Sequence, residues 1–190
     1  LISISTIQKF PAQVISGSTI DFITPDIIFH NIFPGFLNFL RKLIESKVKN
    51  LTIICNDAGL PGKGVGKLIE NGQVEKLIAS HIGLNPMAGK LMSEEKLIVE
   101  LVPQGTLAER IRCGGAGLGG VLTPTGLGTM VEEGKQIISS NGKDYLLELA
   151  LRADLAILYG TTVDYYGNVI YTKTTRNFNP VMATATDQVI

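Results

Sequence analysis

Short apolar runs alternate with segments of helical periodicity from about residue 34 to the end of this sequence. The apolar runs lie at 51–55, 74–80, 97–102 and 153–159, and helical segments at 65–70 and 106–112 follow two of them. This alternation is typical of βαβ units, in which helices connect parallel strands and pack on the sheet. We therefore expect an α/β fold with an open, mostly parallel sheet and helices on both faces.

Other patterns predict further elements. Apolar residues from Phe36 to Val48 recur at helical spacing, and Asn141-Gly142 between two apolar runs is a strong signal for a β-hairpin. Residues 114–128 are rich in Gly and Pro, so we expect no regular structure there. Residues 179–187 are expected to form a helix before a last strand.

The chain is predicted to form a single domain over residues 1–190. This length suffices for one buried core, and the sequence contains no linker and no internal repeat. The first residue is Leu1 rather than Met, and the chain stops on an apolar run at Ile190. We expect both ends to be trimmed.

Charge and cysteine usage exclude some classes of function. Lys and Arg total 17, as do Asp and Glu, so no net field attracts nucleic acid or an anionic membrane. The apolar stretches are shorter than a membrane span, and no signal peptide is visible. Cys55 and Cys113 form no CxxC pattern and are expected to be reduced, buried thiols of a cytoplasmic protein. His30 and His81 lack metal-ligand spacing, so no metal site is predicted.

Two uncharged amides stand where strands end. Asn56 follows the run at 51–55, and Gln104 follows the run at 97–102 after one proline. Ligands of open α/β sheets bind outside the carboxyl ends of the strands, so both amides are candidates to donate to a carboxylate or thioester oxygen. The alternative is loop capping. His81 also follows a strand, and there we favour a structurally hydrogen-bonded imidazole over a substrate contact.

A glycine-rich segment at 115–120 matches G-x-G-x-x-G. A helical pattern precedes it and Thr123-Pro124-Thr125-Gly126 follows, which is the wrong context for a dinucleotide site. A bare loop can still bring backbone N–H groups against a negatively charged oxygen, and the alternative is a packing loop. We expect at least one of Gly115, Gly117 and Gly119 to have a positive φ or to contact a ligand or another chain.

A second glycine-rich segment, at 62–68, only partly matches a phosphate-binding loop. Pro61 occupies the position of the first required glycine, and Leu68 replaces the Ser or Thr that holds magnesium. We favour a turn that leads into a helix with solvated lysines.

Longer blocks of this sequence resemble the alpha subunits of family I coenzyme A transferases. The resemblance extends from about residue 45 to 190 and is similar in type to the transferases of acetate, butyrate and acetoacetate. The blocks that carry it are Asn50-Leu51-Thr52-Ile53-Ile54-Cys55-Asn56-Asp57, Leu101-Val102-Pro103-Gln104-Gly105-Thr106-Leu107-Ala108-Glu109-Arg110-Ile111-Arg112, Gly120-Val121-Leu122-Thr123-Pro124-Thr125-Gly126, Arg152-Ala153-Asp154 and Arg176-Asn177-Phe178-Asn179-Pro180.

The resemblance implies a fold, an activity and a partner. The fold would be the open α/β fold that these transferases share with sugar-phosphate isomerases. The activity would be transfer of CoA between an acyl-CoA and a short-chain carboxylate, with ping-pong kinetics. The nucleophilic glutamate would lie on a beta subunit, so none of the catalytic residues would be on this chain. The reaction would need no metal or prosthetic group, and the CoA thioester is a co-substrate.

The resemblance also places residues of this chain at the substrate. Asn56 and Gln104 would contact the reacting acyl or carboxylate group, with Gly115, Gly117 and Gly119 nearby. Glu70-Asn71-Gly72 repeats the tripeptide around the beta-subunit nucleophile, but it ends a helical pattern, so Glu70 is expected to be a solvated surface residue that nothing orients.

The first 33 residues depart from the family pattern. The family's usual Gly-Gly-Phe would fall near Ile28-Phe29-His30, and its later Gly-x-Pro near residues 34–36. Of these motifs, only Pro34-Gly35 is partly similar. This departure leaves a second hypothesis open, a non-catalytic domain of the same fold that senses a metabolite or a sugar phosphate.

Overall fold

The computed structural model describes residues 2–4 and 41–190, with side chains from residue 41 onward. The helix predicted from Phe36 to Val48 is helical at residues 41–45, and its earlier part lies outside the described residues. The positions near residues 28–36, where the family pattern is altered, also lie outside them, as does His30.

The described chain contains eleven strands, five α-helices and two short 3₁₀ helices, Met130–Glu132 and Lys173–Thr175. The strands are β1 (Ile2–Ile4), β2 (Leu51–Asp57), β3 (Val74–His81), β4 (Ile98–Leu101), β5 (Gly120–Thr123), β6 (Ile137–Ser140), β7 (Lys143–Leu149), β8 (Ala153–Ala156), β9 (Thr162–Val163), β10 (Val169–Ile170) and β11 (Thr186–Val189). The helices are α1, which includes residues 41–45, α2 (Gly64–Glu70), α3 (Pro86–Ser93), α4 (Gln104–Gly115) and α5 (Asn179–Thr184).

Six of these strands form an open sheet in the order β11-β8-β1-β2-β3-β4. The pairs β2–β3, β3–β4 and β8–β11 are parallel, whereas β1 runs antiparallel to both β2 and β8. The predicted α/β fold with an open, mostly parallel sheet is confirmed.

Helices cover both faces of this sheet, as predicted. Side chains of a strand alternate between faces, so neighbours such as Ile53 and Ile54 belong to different cores. Ile53 packs with residues of α2 and α3 on one face, and Ile54 packs with residues of α4 and α5 on the other. On the second face Leu107 and Ile111 of α4 are fully buried, and burial of such side chains contributes roughly 1.5–3 kcal/mol each.

The predicted hairpin is also confirmed. Strands β6 and β7 pair antiparallel and are joined by Asn141 and Gly142, whose φ angles are 52° and 71°. Two successive positive φ angles define a type I′ turn, which suits the twist of a two-residue hairpin. With β5, these strands form a separate three-stranded sheet in the order β5-β7-β6.

The prediction that residues 114–128 lack regular structure is wrong. Gly114 and Gly115 are the last residues of α4, and strand β5 lies within the same range. A Cβ atom on Gly114 would lie 1.9 Å from the carbonyl oxygen of Leu151, and one on Gly115 would lie 2.1 Å from Oγ1 of Thr184. These glycines therefore allow α4 to pack closely against its neighbours. The helix predicted at 179–187 is shorter than expected, because α5 ends at Thr184 and β11 follows.

Charged side chains, of which Arg110 and Glu148 are buried, join α4 to both sheets. Nη1 of Arg110 in α4 donates to Oε1 of Glu100 in β4 at 2.7 Å, and its Nε lies 3.8 Å from Oε2 of Glu148 in β7. Nζ of Lys135 donates to Glu148, and Nζ of Lys76 lies 2.7 Å from Glu100. Burial alone would raise the pKa of Glu100, but hydrogen bonds from Arg110 and Lys76 outweigh burial and hold this pKa below its usual value.

Candidate functional site

Two neighbouring strands change from apolar to polar at their carboxyl ends, on the face that α4 covers. Ile54 of β2 and Ile78 of β3 are buried against α4, and side chains two residues further along each strand lie on the same face. Those positions hold Asn56 and Ser80, which the parallel register places side by side. The apolar core of this face therefore ends in a polar edge.

Gln104 joins this edge from the start of α4. Its Nε2 donates a hydrogen bond of 2.9 Å to Oδ1 of Asn56, across 48 residues of sequence. The hydroxyl of Ser80 lies 2.7 Å from the backbone oxygen of Asn56 and 3.0 Å from its Oδ1. Nδ1 of His81 lies 3.2 Å from the same hydroxyl. We call Asn56, Ser80, His81 and Gln104 the polar cluster.

The polar cluster offers hydrogen-bond donors to solvent. Gln104 is exposed and Asn56 is half-buried. Oδ1 of Asn56 accepts the hydrogen bonds from Ser80 and Gln104, and among the described residues no hydrogen bond from its Nδ2 is found. With respect to the described residues, both of its amide protons are available to an oxygen of a ligand, as is the second Nε2 proton of Gln104.

The first turn of α4 also favours a negatively charged ligand at the polar cluster. Pro103 precedes this helix, and no described side chain caps its N-terminal N–H groups. The free N–H groups and the aligned peptide dipoles of a helix favour negative charge at its N-terminus. An oxygen that gains charge beside Gln104 would thus be stabilised by amide donors and by α4.

The sequence placed Asn56 and Gln104 correctly at the carboxyl edge, but it missed Ser80. The sequence did contain a signal for Ser80. In β3 an apolar Ile78 is followed two residues later by a polar Ser80, just as Ile54 is followed by Asn56 in β2. His81 was expected to be hydrogen-bonded, and its contact with Ser80 agrees with that, although the ring is exposed. Gln104 begins a helix rather than closing a strand.

The three candidate glycines do not lie with the polar cluster. Gly115 ends α4 and Gly117 and Gly119 follow it, so they lie at the opposite end from Gln104, about 16 Å away at 1.5 Å per residue. Gly117 has a φ of +71°, which confirms the expectation of a positive φ. It terminates α4, because the N–H groups of Gly117 and Leu118 bond back to the last turn. A role in binding substrate stays a prediction for these glycines.

The segment that resembles a phosphate loop is held by packing. Gly66 of α2 lies against the backbone of Leu60, where a Cβ atom would come within 2.2 Å of the carbonyl oxygen. The expected turn that leads into a helix is confirmed. Glu70 at the end of α2 is exposed as predicted, but the expectation that nothing orients it is wrong, because its Oε1 accepts a hydrogen bond of 2.8 Å from the N–H of Gly62.

Cys55 precedes Asn56 in β2, with its side chain on the opposite face of the sheet, and it is poorly suited to act as a nucleophile. Burial raises the pKa of its thiol to about 12, and Sγ donates to the backbone oxygen of Asp57 at 2.9 Å. A thiol with this pKa stays protonated at neutral pH, whereas the thiolate is the reactive form. Neither cysteine is in a disulfide, and Cys113 is buried in α4 as predicted, whereas Cys55 is half-buried.

Within residues 2–4 and 41–190, no helix is both long and apolar enough to cross a membrane. Among the same residues, no three His, Cys, Asp or Glu side chains come together as metal ligands would.

Comparison with known proteins gives a family match over most of the chain. A family model described as "Coenzyme A transferase" matches residues 38–190. The chain is 57% identical over 162 residues to the acetoacetyl-CoA:acetate/butyrate CoA transferase alpha subunit of Clostridium acetobutylicum, covering 82% of this chain and 74% of that protein. It is also 57% identical over 148 residues to the acetate CoA-transferase subunit alpha of Escherichia coli K12, covering 78% of this chain and 67% of that protein.

Solved structures share the fold at low sequence identity. The apoenzyme of an acyl-CoA transferase from Escherichia coli O157:H7 has a TM-score of 0.66 at 20% identity, over 82% of this chain and 36% of that chain. Glutaconate coenzyme A-transferase from Acidaminococcus fermentans has a TM-score of 0.61 at 17% identity, over 82% of this chain and 57% of that chain.

Proposed function

The chain belongs to the coenzyme A transferase family, and we propose that it is the alpha subunit of an enzyme that moves CoA between an acyl-CoA and a short-chain carboxylate. The acids are those of the acetate, butyrate and acetoacetate class, as the names of the two bacterial alpha subunits suggest. The observation that carries the proposal is the hydrogen-bonded pair of Asn56 and Gln104 at the carboxyl edge of the sheet.

The chemistry divides between two chains. A glutamate carboxylate of the beta subunit attacks the acyl-CoA carbonyl, and CoA leaves as a thiolate to give a mixed anhydride. The thiolate then attacks the glutamyl carbonyl, releases the first carboxylate and leaves a glutamyl-CoA thioester. The second carboxylate attacks this thioester and expels the CoA thiolate, which gives a new mixed anhydride. The thiolate then attacks the acyl carbonyl of this anhydride, which forms the new acyl-CoA and releases the glutamate carboxylate.

This chain contributes donors to the reaction. Each addition to a carbonyl places negative charge on its oxygen, and preorganised donors aimed at that oxygen lower the barrier. The free amide protons of Asn56 and Gln104 would supply this stabilisation, supported by the N-terminus of α4. The reaction as proposed needs no metal or prosthetic group, and the enzyme is proposed to act in the cytoplasm.

The experiment that tests the function is a CoA-transfer assay on the enzyme assembled with its beta subunit. Acetyl-CoA or acetoacetyl-CoA would be the donor, and acetate or butyrate would be the acceptor. We expect parallel lines in double-reciprocal plots, because the first carboxylate leaves before the second enters. Intersecting lines would contradict the covalent mechanism. Binding of acyl-CoA without any transfer would favour the sensing domain instead.

Glu70 should be dispensable, although its tripeptide resembles the one around the beta-subunit nucleophile. It lies at the end of α2, which packs on the sheet face opposite to the polar cluster, and its described contact is one exposed hydrogen bond from Gly62. Glu70→Ala should leave turnover of the assembled enzyme within about twofold of wild type, since exposed substitutions rarely matter. Abolished turnover in a correctly assembled variant would mean that Glu70 takes part in the chemistry.

A further inference from the structure

Ser80 contacts both Asn56 and His81 in the polar cluster. We propose that Ser80 is a positioning residue, which holds the amide of Asn56 in the orientation that directs its N–H groups to the substrate. This inference rests on the proposed function, because it assigns a task within the same site.

The first argument is the geometry of the Ser80 hydroxyl. It lies 2.7 Å from the backbone oxygen of Asn56 and 3.0 Å from the side-chain oxygen of the same residue. Because this hydroxyl contacts both oxygens, it fixes the side chain of Asn56 relative to the backbone of Asn56. The amide torsion of asparagine is otherwise broad, with no sharp staggered minima.

The second argument concerns the direction of the amide. Gln104 donates to Oδ1 of Asn56 from the side of α4, while Ser80 approaches from the neighbouring strand. Because two donors meet at Oδ1, this oxygen is held inside the cluster. Nδ2 of Asn56 is then the atom left to face a ligand.

The third argument concerns His81. A serine hydroxyl has one proton, and in Ser80 the short contacts with Asn56 use it. Nδ1 of His81 lies 3.2 Å from Oγ of Ser80, and in the His81 tautomer with its proton on Nδ1 this nitrogen donates to the hydroxyl. In that tautomer the hydroxyl is held by His81 on one side and by Asn56 on the other, and its proton is directed at Asn56.

The test compares two variants that differ only in the hydroxyl. Ser80→Thr keeps it and Ser80→Val removes it, and both side chains are β-branched and suit the end of a strand. In the assembled enzyme we expect near-normal kcat for Ser80→Thr and about a tenfold lower kcat for Ser80→Val, with KM nearly unchanged, because one oriented donor is lost from the transition state. Ser93→Ala is the matched control, since that serine hydroxyl donates to the backbone oxygen of Gly89, outside the polar cluster.

A double-mutant cycle separates positioning from simple stabilisation. If Ser80 acts through Asn56, then Ser80→Val should have little further effect on kcat in an Asn56→Ala background. An equal loss in both backgrounds, or equal kcat for Ser80→Thr and Ser80→Val, would overturn the inference while leaving the transferase function intact. Absence of transfer in the wild-type assembled enzyme would overturn the proposed function and this inference together.

Discussion

Gln104→Ala should lower turnover of the assembled enzyme by about 100-fold or more, because loss of one preorganised donor to a developing oxyanion typically has this effect. The variant loses the Nε2 donor at the start of α4 and the hydrogen bond to Oδ1 of Asn56. In the proposed mechanism, both losses act on the carbonyl oxygen that gains charge when the glutamate or the CoA thiolate attacks.

The fold should tolerate this change. Gln104 is exposed, and alanine favours helix at least as well as glutamine does. Gln188→Ala is a suitable control. Gln188 is an exposed glutamine in β11, the outermost strand of the sheet, and β8 and β1 separate it from β2. Near-normal turnover in Gln104→Ala would show that this amide is not a donor in the transition state.

The features that the sequence predicted well are those that depend on local pattern. The strands β2 and β3 are apolar and bounded by turn residues, and the Asn141-Gly142 turn imposes its own geometry. The positions of Asn56 and Gln104 were predicted for a similar reason, because the carboxyl ends of parallel strands such as β2 and β4 lie at the same edge of a sheet.

The glycines at the end of α4 show where local pattern fails. Gly117 needs a positive φ to end the helix, whereas Gly115 is required because Thr184 packs against it from α5. The sequence alone does not separate these two cases, because glycine permits both a positive φ and close packing. The close approach of α5 is a tertiary contact across about 70 residues, which no local window contains.

Tertiary contacts also explain what was missed at the site. The local sequence does not show which residue Ser80 contacts. The register of β2 and β3 places it beside Asn56. The charge pair of Arg110 and Glu148 likewise joins α4 to β7 across 38 residues. Only the folded arrangement shows that these groups meet.

The isolated chain should show no measurable CoA transfer. Its amides can stabilise charge on a carbonyl oxygen, but they cannot attack a thioester. Glu70 is the glutamate with the most similar local sequence, and α2 places it on the sheet face opposite to the polar cluster. Adding the beta subunit should restore activity, because in the proposed mechanism it supplies the nucleophile opposite Asn56 and Gln104. Transfer by the purified chain alone would contradict the division of the site between two chains.

The most direct test locates the covalent intermediate. The assembled enzyme would be incubated with acyl-CoA in the absence of an added acceptor, and the intact mass of each chain would be measured. The account predicts a CoA thioester on a glutamate of the beta subunit and an unmodified alpha chain. A CoA adduct on this chain, at Glu70 or any other carboxylate, would contradict it.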